Sequence, residues 1–248
     1  MTRTSVCSAL ILRNRPSGES NREVWLLTPE SGLIRTTVFG GPRSRLRAHA
    51  EPFHSGQAWI YHDPVKDFNK LNDFDVKSWR PGLRELYERT MTSTAVAQTI
   101  LATHAGGGAW ESALNLAEEA LDALESANAD LCKRILIHFL WRWAGFLGSR
   151  PQLEYCFSCG KTSAPDSSLW YSAHEGGVLC EDCGQGQSFG LLFIGPGCRR
   201  WLARVGPLEP AQLGPFTMDN KLQREIMMFT TAILAEILGK RLESWDWQ

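Results

Sequence analysis

The sequence predicts an α+β protein with several domains, in which a small closed β-barrel precedes a mostly helical region. Three observations support this fold class. The first eighty residues contain short stretches rich in Val, Ile, Thr and aromatic residues, separated by turn-forming residues. After Pro81 the apolar residues recur with the period of an α-helix. Four of the seven cysteines are spaced as two C-x2-C pairs within a turn-rich segment.

Five strands are predicted within residues 1–80. They cover Val6–Leu12, Glu23–Thr28, Leu33–Phe39, Gln57–Tyr61 and Phe68–Trp79. A polar loop containing Pro and Gly is predicted over Asn14–Asn21. Five short strands of this composition favour a small closed barrel.

The third strand and the loop after it carry a basic surface. Alternation along the strand puts Arg35 and Phe39 on the face opposite its apolar side chains. The loop has Arg43, Arg45 and Arg47 at alternate positions and no acidic residue. In an extended conformation these three guanidiniums would form one row that contacts phosphates along a nucleic acid strand. Phe39 and Arg35 would add a stacking partner and a further cation. The alternative is a solvated loop whose arginines only keep the surface soluble.

Five helices are predicted in the rest of the chain. They run from Leu83 to Leu101, Trp110 to Leu124, Leu131 to Leu147, Cys198 to Val205 and Asp219 to Gly239. Asp219 is the predicted N-cap of the last helix. The chain is therefore divided into a barrel over 1–80, a first helical part over 81–150, a cysteine module over 151–189 and a second helical part over 190–248.

The clustered cysteines predict a structural zinc site. Cys156, Cys159, Cys180 and Cys183 form two C-x2-C pairs separated by twenty residues, which matches a four-thiolate pattern. Thiolates are soft ligands that suit Zn²⁺, and four of them leave no open position for catalysis. A redox or disulfide role is the alternative, but a thioredoxin-type pair would occur once, in a βαβ unit. A zinc deaminase would need H-x-E and P-C-x-x-C motifs, which the sequence lacks.

The small net charge hides a local asymmetry. The whole chain has 26 basic and 27 acidic residues, a formal net charge of −1. Residues 1–80 carry a net charge of +4, 81–150 of −2, 151–183 of −4 and 184–248 of +1. Because the basic excess lies on the predicted barrel, a nucleic acid partner is expected there.

Membrane and enzyme functions have no support in the sequence. No stretch approaches the ~18–20 apolar residues of a spanning helix, and the N-terminus does not have the pattern of a secretory signal. We therefore expect a cytoplasmic protein without a membrane partner. No nucleophile–base pair, phosphate-binding glycine loop or pair of acidic residues stands out, so we expect a protein that is not an enzyme.

These motifs, taken together, resemble the RecO family of bacterial recombination mediators. The resemblance is carried by the five-strand start, the GGPRSR and EPF motifs of the basic segment, and the YSAHEGGVLCEDC half of the cysteine module. It implies an N-terminal OB-fold, a helical domain and a zinc finger inserted in that domain. It also implies a nucleoid-associated protein that binds single- and double-stranded DNA and anneals complementary strands. Its implied partners are RecR and the acidic C-terminal tail of the single-stranded-DNA-binding protein, with which it would load RecA.

Two other functions remain open at this point. The first is a zinc-finger scaffold for protein interactions, in which nucleic acid binding is incidental. The second is a zinc enzyme, which would require a site with three protein ligands and an accessible water.

Overall fold

The computed structural model describes residues 4–41, 44–185 and 190–246. The chain divides into two compact units, Met1–Ala127 and Asn128–Gln248. The first unit contains the barrel and two long helices, and the second contains three long helices and the cysteine module.

The first unit begins with a closed five-stranded barrel, as the sequence predicts. Its strands are β1 (Thr4–Ser17), β2 (Asn21–Thr28), β3 (Gly32–Val38), β4 (Ser55–Asp63) and β5 (Phe68–Ser78). They close in the order β1-β2-β3-β5-β4. All neighbours are antiparallel except β3 and β5, which pair in parallel through Thr37 and Lys70. This topology is that of an OB-fold. Alternate side chains fill the interior, among them Ile11, Val24, Leu26, Val38 and Phe74.

The first hairpin is longer than the sequence predicts. The prediction of a loop over Asn14–Asn21 is wrong, because β1 continues to Ser17 and β2 already begins at Asn21. Gly18 adopts a φ of 63° in the short turn between them, a conformation that glycine adopts without steric cost. Polar residues are tolerated in this ladder because their side chains on the outer face reach solvent while the backbone groups pair.

The extended arginine row is also wrong for the residues that the structure describes. A short helix, α1 (Arg45–His49), lies between β3 and β4. Leu46 packs against the barrel core and Ala50 is fully buried within it, and the N–H of Ala50 donates to the carbonyl of Leu46 at 2.9 Å. In this helical turn Leu46 and Ala50, four positions apart, share one helix face and both pack toward the barrel core.

Two helices cover part of the barrel. They are α2 (Tyr87–Ala102) and α3 (Trp110–Leu124); both pack against β1, and α3 also packs against β2. The buried guanidinium of Arg80 fixes this packing: it donates to the carboxylate of Asp122 on α3 at 2.5 Å and to the carbonyl of Phe53 at 2.8 Å. Helix α2 begins at Tyr87 and not at Leu83, because Pro81–Arg84 forms a separate 3₁₀ turn.

The second unit combines three long helices with a small sheet. The long helices are α4 (Ala129–Phe146), α6 (Pro196–Val205) and α7 (Asn220–Leu238), and α5 (Glu181–Gln185) is a single short turn. The sheet has the order β7-β6-β8, with β6 at Leu169–Ser172, β7 at Gly177–Leu179 and β8 at Leu191–Ile194. The predicted cap of α7 is confirmed, because the Asp219 carboxylate accepts a hydrogen bond from the N–H of Leu222 at 2.7 Å.

Every helix in the described ranges is too short or too polar to cross a bilayer.

Candidate metal centre and nucleic-acid interface

The four clustered cysteines come together in space. The sulfur atoms of Cys156, Cys159, Cys180 and Cys183 all lie within 4.8 Å of one another, and those of Cys159 and Cys180 are 3.9 Å apart. Tetrahedral coordination with metal–sulfur bonds of about 2.3 Å places neighbouring sulfurs about 3.8 Å apart. A disulfide would need about 2.05 Å. The spacing of these sulfurs therefore fits four ligands around one metal ion.

Two tight turns bring the sulfurs together. In the first, the N–H of Cys156 donates to the carbonyl of Lys161 and the N–H of Gly160 donates to the carbonyl of Cys156, both at 2.9 Å. Gly160 has a φ of 69°, which favours glycine at this position. In the second turn, which follows β7, the N–H of Gly184 donates to the carbonyl of Cys180 at 2.8 Å. Each C-x2-C pair thus projects both sulfurs from one turn.

The pKa values of the cysteine thiols shift in opposite directions in this environment. Burial acts to raise the pKa of Cys156, but hydrogen bonds from the backbone N–H groups of Cys159 and Cys180 outweigh it and lower that pKa to about 6. Hydrogen bonds with the side chains of Cys180 and Cys159 raise the pKa of the Cys183 thiol to about 12. Backbone groups thus already stabilise one thiolate, and a cation at the centre would stabilise the others by the same electrostatic attraction.

One arginine attaches the first part of the cysteine module to helix α6. Arg199 is 7% exposed, and its guanidinium is directed at backbone carbonyls of the module. It donates to Leu153 at 2.8 Å, to Ala164 at 2.6 Å and to Ser167 at 2.8 Å. A loop segment with few apolar contacts is thereby fixed by hydrogen bonds from a single charged group.

The predicted faces of β3 are confirmed. Thr36 and Val38 are buried, and Arg35 and Phe39 point outward. Phe39 is 45% exposed, and its ring lies 6.0 Å from that of Phe68 on β5. The ammonium of Lys70 lies 5.7 Å from the centre of the Phe39 ring. The seam between β3 and β5 thus carries one exposed aromatic ring, Phe39, next to the half-buried Phe68 and Lys70. The sequence predicts the Phe39 part of this surface.

The remaining predicted arginines do not extend this surface as one row. Arg43 lies outside the described residues. Arg45 and Arg47 are two positions apart on α1. A rotation of about 100° for each residue places their side chains on nearly opposite sides of the helix. The Nε of Arg45 is 3.3 Å from the Nε2 of His49, and Arg47 donates to the carbonyl of Ser20 at 3.2 Å. Arg45 is exposed, whereas Arg47 is half-buried and its hydrogen bond to Ser20 holds the β1–β2 turn.

A second group of cations on the barrel escaped the sequence prediction. Trp25 on β2 pairs with Arg13 on β1 and with Arg35 on β3, and it faces outward because its neighbours in β2 fill the core. The guanidiniums of Arg13 and Arg15 lie 4.2 Å and 4.9 Å from the centre of its ring. A hairpin turn at residues 18–20 sets Arg13 opposite Trp25. The predicted loop over Asn14–Asn21 hides this pairing because it ends the first strand too early.

Glu23 is an acidic residue within this group. Its carboxylate is 2.6 Å from Arg15 and 3.8 Å from Arg35. Arg13, by contrast, makes no ion pair or hydrogen bond through its side chain within the described part of the chain. The outer face of β1, β2 and β3 therefore carries three arginines and one acid, which leaves a net positive field.

A closed barrel of OB topology, joined to a helical unit with four clustered cysteines, defines an OB-fold protein that carries a four-cysteine finger. Comparison with known proteins makes this class specific. Residues 1–79 match the family model described as Recombination protein O N terminal, and residues 84–246 match the one described as Recombination protein O C terminal. The chain belongs to this RecO family of DNA repair proteins.

Curated relatives agree with the family models. The chain is 27% identical to the DNA repair protein RecO of Desulfitobacterium hafniense and 29% identical to that of Heliobacterium modesticaldum, in each case over 96% of this chain and 86% of the relative. It is 24% identical to the DNA repair protein RecO of Bacillus subtilis, over 96% of this chain and 91% of the relative. The similarity spans both units.

Proposed function

We propose that this protein is a recombination mediator that binds single- and double-stranded DNA on the outer face of its barrel and anneals complementary strands. The observation that carries this proposal is that the outer side of β3 presents the exposed Arg35 and Phe39, with the half-buried Lys70 of β5 beside the Phe39 ring. OB-folds commonly bind oligonucleotides on the face of strands 2 and 3, and Arg35 lies on that face. Its cations suit phosphates and its exposed ring suits a base.

The proposed mechanism is electrostatic. Arg35, Arg45 and Arg47, together with Arg43 of the same loop, would neutralise phosphates without reading the base sequence. Two complementary strands repel each other through their phosphates. Neutralising these phosphates lowers the repulsion and allows the bases of the two strands to pair. Contact with Phe39 would hold unpaired bases in place through stacking. No covalent bond is made or broken in this process, so the protein acts as a mediator and not as an enzyme.

The proposed metal is one Zn²⁺ ion bound by Cys156, Cys159, Cys180 and Cys183. The distances between the sulfur atoms support this proposal, and four thiolates favour zinc among common cellular divalent ions. When bound, the ion supplies cross-linking and no reaction chemistry, because all four ligands come from the protein. Its role is to hold the two C-x2-C turns together.

The proposed partners follow from family membership. The relatives are named as DNA repair proteins, which supports action in recombinational repair at the bacterial nucleoid in the cytoplasm. We propose that RecR and the acidic tail of the single-stranded-DNA-binding protein bind this chain while RecA is loaded. The bound strand would then pass from the barrel to RecA.

A scaffold function for the finger is the second candidate. Tyr155 and Phe157, on either side of Cys156, are 54% and 60% exposed, and the segment 151–183 has a net charge of −4. Exposed aromatic rings on an acidic module suit a protein partner better than a phosphate backbone. In this case the finger would recruit proteins and the barrel's contact with DNA would be incidental.

The experiment that tests DNA binding compares Arg35→Ala with Lys77→Ala. Both changes remove one exposed positive charge from a barrel strand, but Lys77 lies outside the proposed surface. We expect Arg35→Ala to weaken oligo(dT) binding, to lower the slope of log affinity against log salt by about 0.7, and to slow strand annealing. Lys77→Ala should leave the slope and the annealing rate close to wild type. Equal affinity and slope for Arg35→Ala and wild type would contradict the proposal.

A further inference from the structure

We infer that Trp25 and Arg13 form a subsite for an unpaired nucleobase and its phosphate, and that this subsite makes the barrel bind single strands more tightly than duplex. The inference rests on the proposed DNA-binding function and adds the residues that would distinguish single strands from duplex. It concerns the β1–β2 side of the barrel, on the other side of Arg35 from Phe39.

The first argument is the alignment of side chains across three strands. Arg13, Trp25 and Arg35 occupy one cross-strand row on the outer face of β1, β2 and β3. Paired residues on neighbouring strands lie about 5 Å apart, so Trp25 has an arginine as its neighbour on each adjacent strand. A row in which one aromatic residue stands between two cationic residues matches the alternation of bases and phosphates along a single strand.

The second argument is that the cation over the indole is available. The guanidinium of Arg13 lies 4.2 Å from the centre of the Trp25 ring, well within the range of a cation–π contact. Among the described residues its N–H groups have neither an acidic partner nor a hydrogen-bond acceptor. Arg15, also near the ring, is paired with Glu23 at 2.6 Å. Trp25 thus fixes the position of Arg13 and leaves its hydrogen-bond donors free for a phosphate.

The third argument concerns which nucleic acid can use the indole. Both single strands and duplexes offer phosphates to Arg13 and Arg35, but the faces of paired bases are already stacked inside a duplex. Only a strand with unstacked bases can place a base against the Trp25–Arg13 pair. This subsite therefore adds affinity for single strands and almost none for duplex, while the surrounding arginines bind both.

The test uses Trp25→Leu, with Trp59→Leu as its matched control. Trp59 is also a half-buried tryptophan on a barrel strand, but it pairs with Val6 and Asp73. We expect Trp25→Leu to weaken oligo(dT) binding by about five- to thirty-fold, the loss typical of one stacked base. Its slope against salt should not change, since no charge is removed, and its duplex affinity should change less than about two-fold. Trp59→Leu should match wild type in both assays.

A second probe separates stacking from a loss of structure. An oligonucleotide of the same length without bases keeps every phosphate and offers nothing to stack. Wild type and Trp25→Phe should bind the oligonucleotide without bases more weakly than oligo(dT). For Trp25→Leu, the affinities for these two oligonucleotides should differ much less. Arg13→Ala should lower the salt slope for single strands by about 0.7. Thermal melting of each variant checks that the barrel is folded.

Three results would overturn the inference. The first is that Trp25→Leu and Trp59→Leu lose the same affinity for oligo(dT). The second is that Trp25→Leu loses as much affinity for duplex as for single strands. The third is that Trp25→Leu prefers oligo(dT) over the strand without bases as strongly as wild type does. If Arg35→Ala still weakens binding in these cases, the proposed DNA-binding function stands and only the subsite fails. If Arg35→Ala and Trp25→Leu both bind like wild type, both proposals fail.

Discussion

The guanidinium of Arg199 donates a hydrogen bond to the carbonyl of Leu153 at 2.8 Å across 46 positions of sequence. Leu153 lies three residues before the first cysteine of the finger, and Arg199 lies in helix α6. The same guanidinium binds the carbonyls of Ala164 and Ser167. One buried side chain in a helix thus fixes the first half of the finger from both of its ends.

This relationship predicts that Arg199→Met destabilises the protein by about 3 kcal/mol. The substitution keeps an apolar stem but leaves the buried carbonyl of Leu153 and the partly buried carbonyls of Ala164 and Ser167 without this donor. A buried group that stays unpaired costs about 1–3 kcal/mol, and the two partly buried carbonyls add less because water reaches them. Denaturant unfolding measures the change. The neighbouring Arg200→Met is the control, because Arg200 is largely exposed and its one ion pair among the described residues is with the exposed Asp166. Such pairs contribute about 0–1 kcal/mol. Equal losses for the two variants would contradict this role of Arg199.

The cysteine cluster predicts one zinc ion per chain that is lost in Cys159→Ser. A serine hydroxyl is a poor ligand for zinc, and the three remaining thiolates would leave the site open. Elemental analysis should find one metal in wild type and far less in the variant, and the second unit should unfold at lower denaturant concentration. Cys7→Ala is the control, because Cys7 lies on the barrel strand β1. It should retain the metal. Metal-free protein with the stability of wild type would refute a structural role.

The predictable parts of this molecule depend on local spacing. The four cysteines are two copies of one short motif, so their convergence follows from the sequence. The faces of β3 follow from alternation between buried and exposed residues, which places Arg35 opposite Thr36 and Val38. The alternation in β3 and each C-x2-C motif lie within a few positions of sequence, and the two motifs, with 21 positions between Cys159 and Cys180, are recognised as partners by their identical spacing.

The parts that escaped prediction depend on distant partners. Leu191–Ile194 is a strand only because it pairs with β6, about twenty residues earlier in the chain. Helix α1 forms because Leu46 and Ala50 are buried in a barrel built by other strands. The row through Trp25 needs the register of the β1–β2 hairpin, which the sequence alone left ambiguous. Register and burial are non-local properties, and a pattern in one segment does not contain them.

Acid should destabilise the second unit through His138 on helix α4. Burial lowers the pKa of His138 to about 4, below its ordinary value near 6.5. As pH falls from about 6.5 to about 4, the unfolded chain takes up a proton that the folded chain does not. The free energy of unfolding should therefore decrease over this range, by up to about 3 kcal/mol at about 1.4 kcal/mol for each pKa unit.

Unfolding at pH 7, 6 and 5 measures this contribution of His138. The variant His138→Gln keeps a side-chain N–H that can donate to the carbonyl of Leu208, which is 3.0 Å from Nε2 of His138. Its stability should depend less steeply on pH than that of wild type. Some dependence should remain, because burial also lowers the pKa of His54. Identical pH profiles for the variant and wild type would exclude His138 as a cause.

Removing the acid from the arginine group on the barrel should strengthen DNA binding. The Glu23 carboxylate contacts Arg15 and Arg35, so a phosphate must compete with it for both cations. Glu23→Gln preserves the size of the side chain and removes that competition. We expect affinity for oligo(dT) to rise about two- to five-fold, as loss of an exposed ion pair of up to about 1 kcal/mol allows, with a steeper dependence on salt.

Glu19→Gln distinguishes this local effect from a change in overall charge. Glu19 lies in the turn between β1 and β2 and makes no ion pair with an arginine of the described residues. Glu19→Gln removes the same charge from the same hairpin as Glu23→Gln. A general electrostatic effect would therefore strengthen DNA binding equally in both variants. A larger gain in Glu23→Gln means that Glu23 itself occupies cations that DNA uses. An equal gain in the two variants would show that only the net charge of the barrel matters, and a loss of affinity in Glu23→Gln would mean that Glu23 positions the arginines for phosphate.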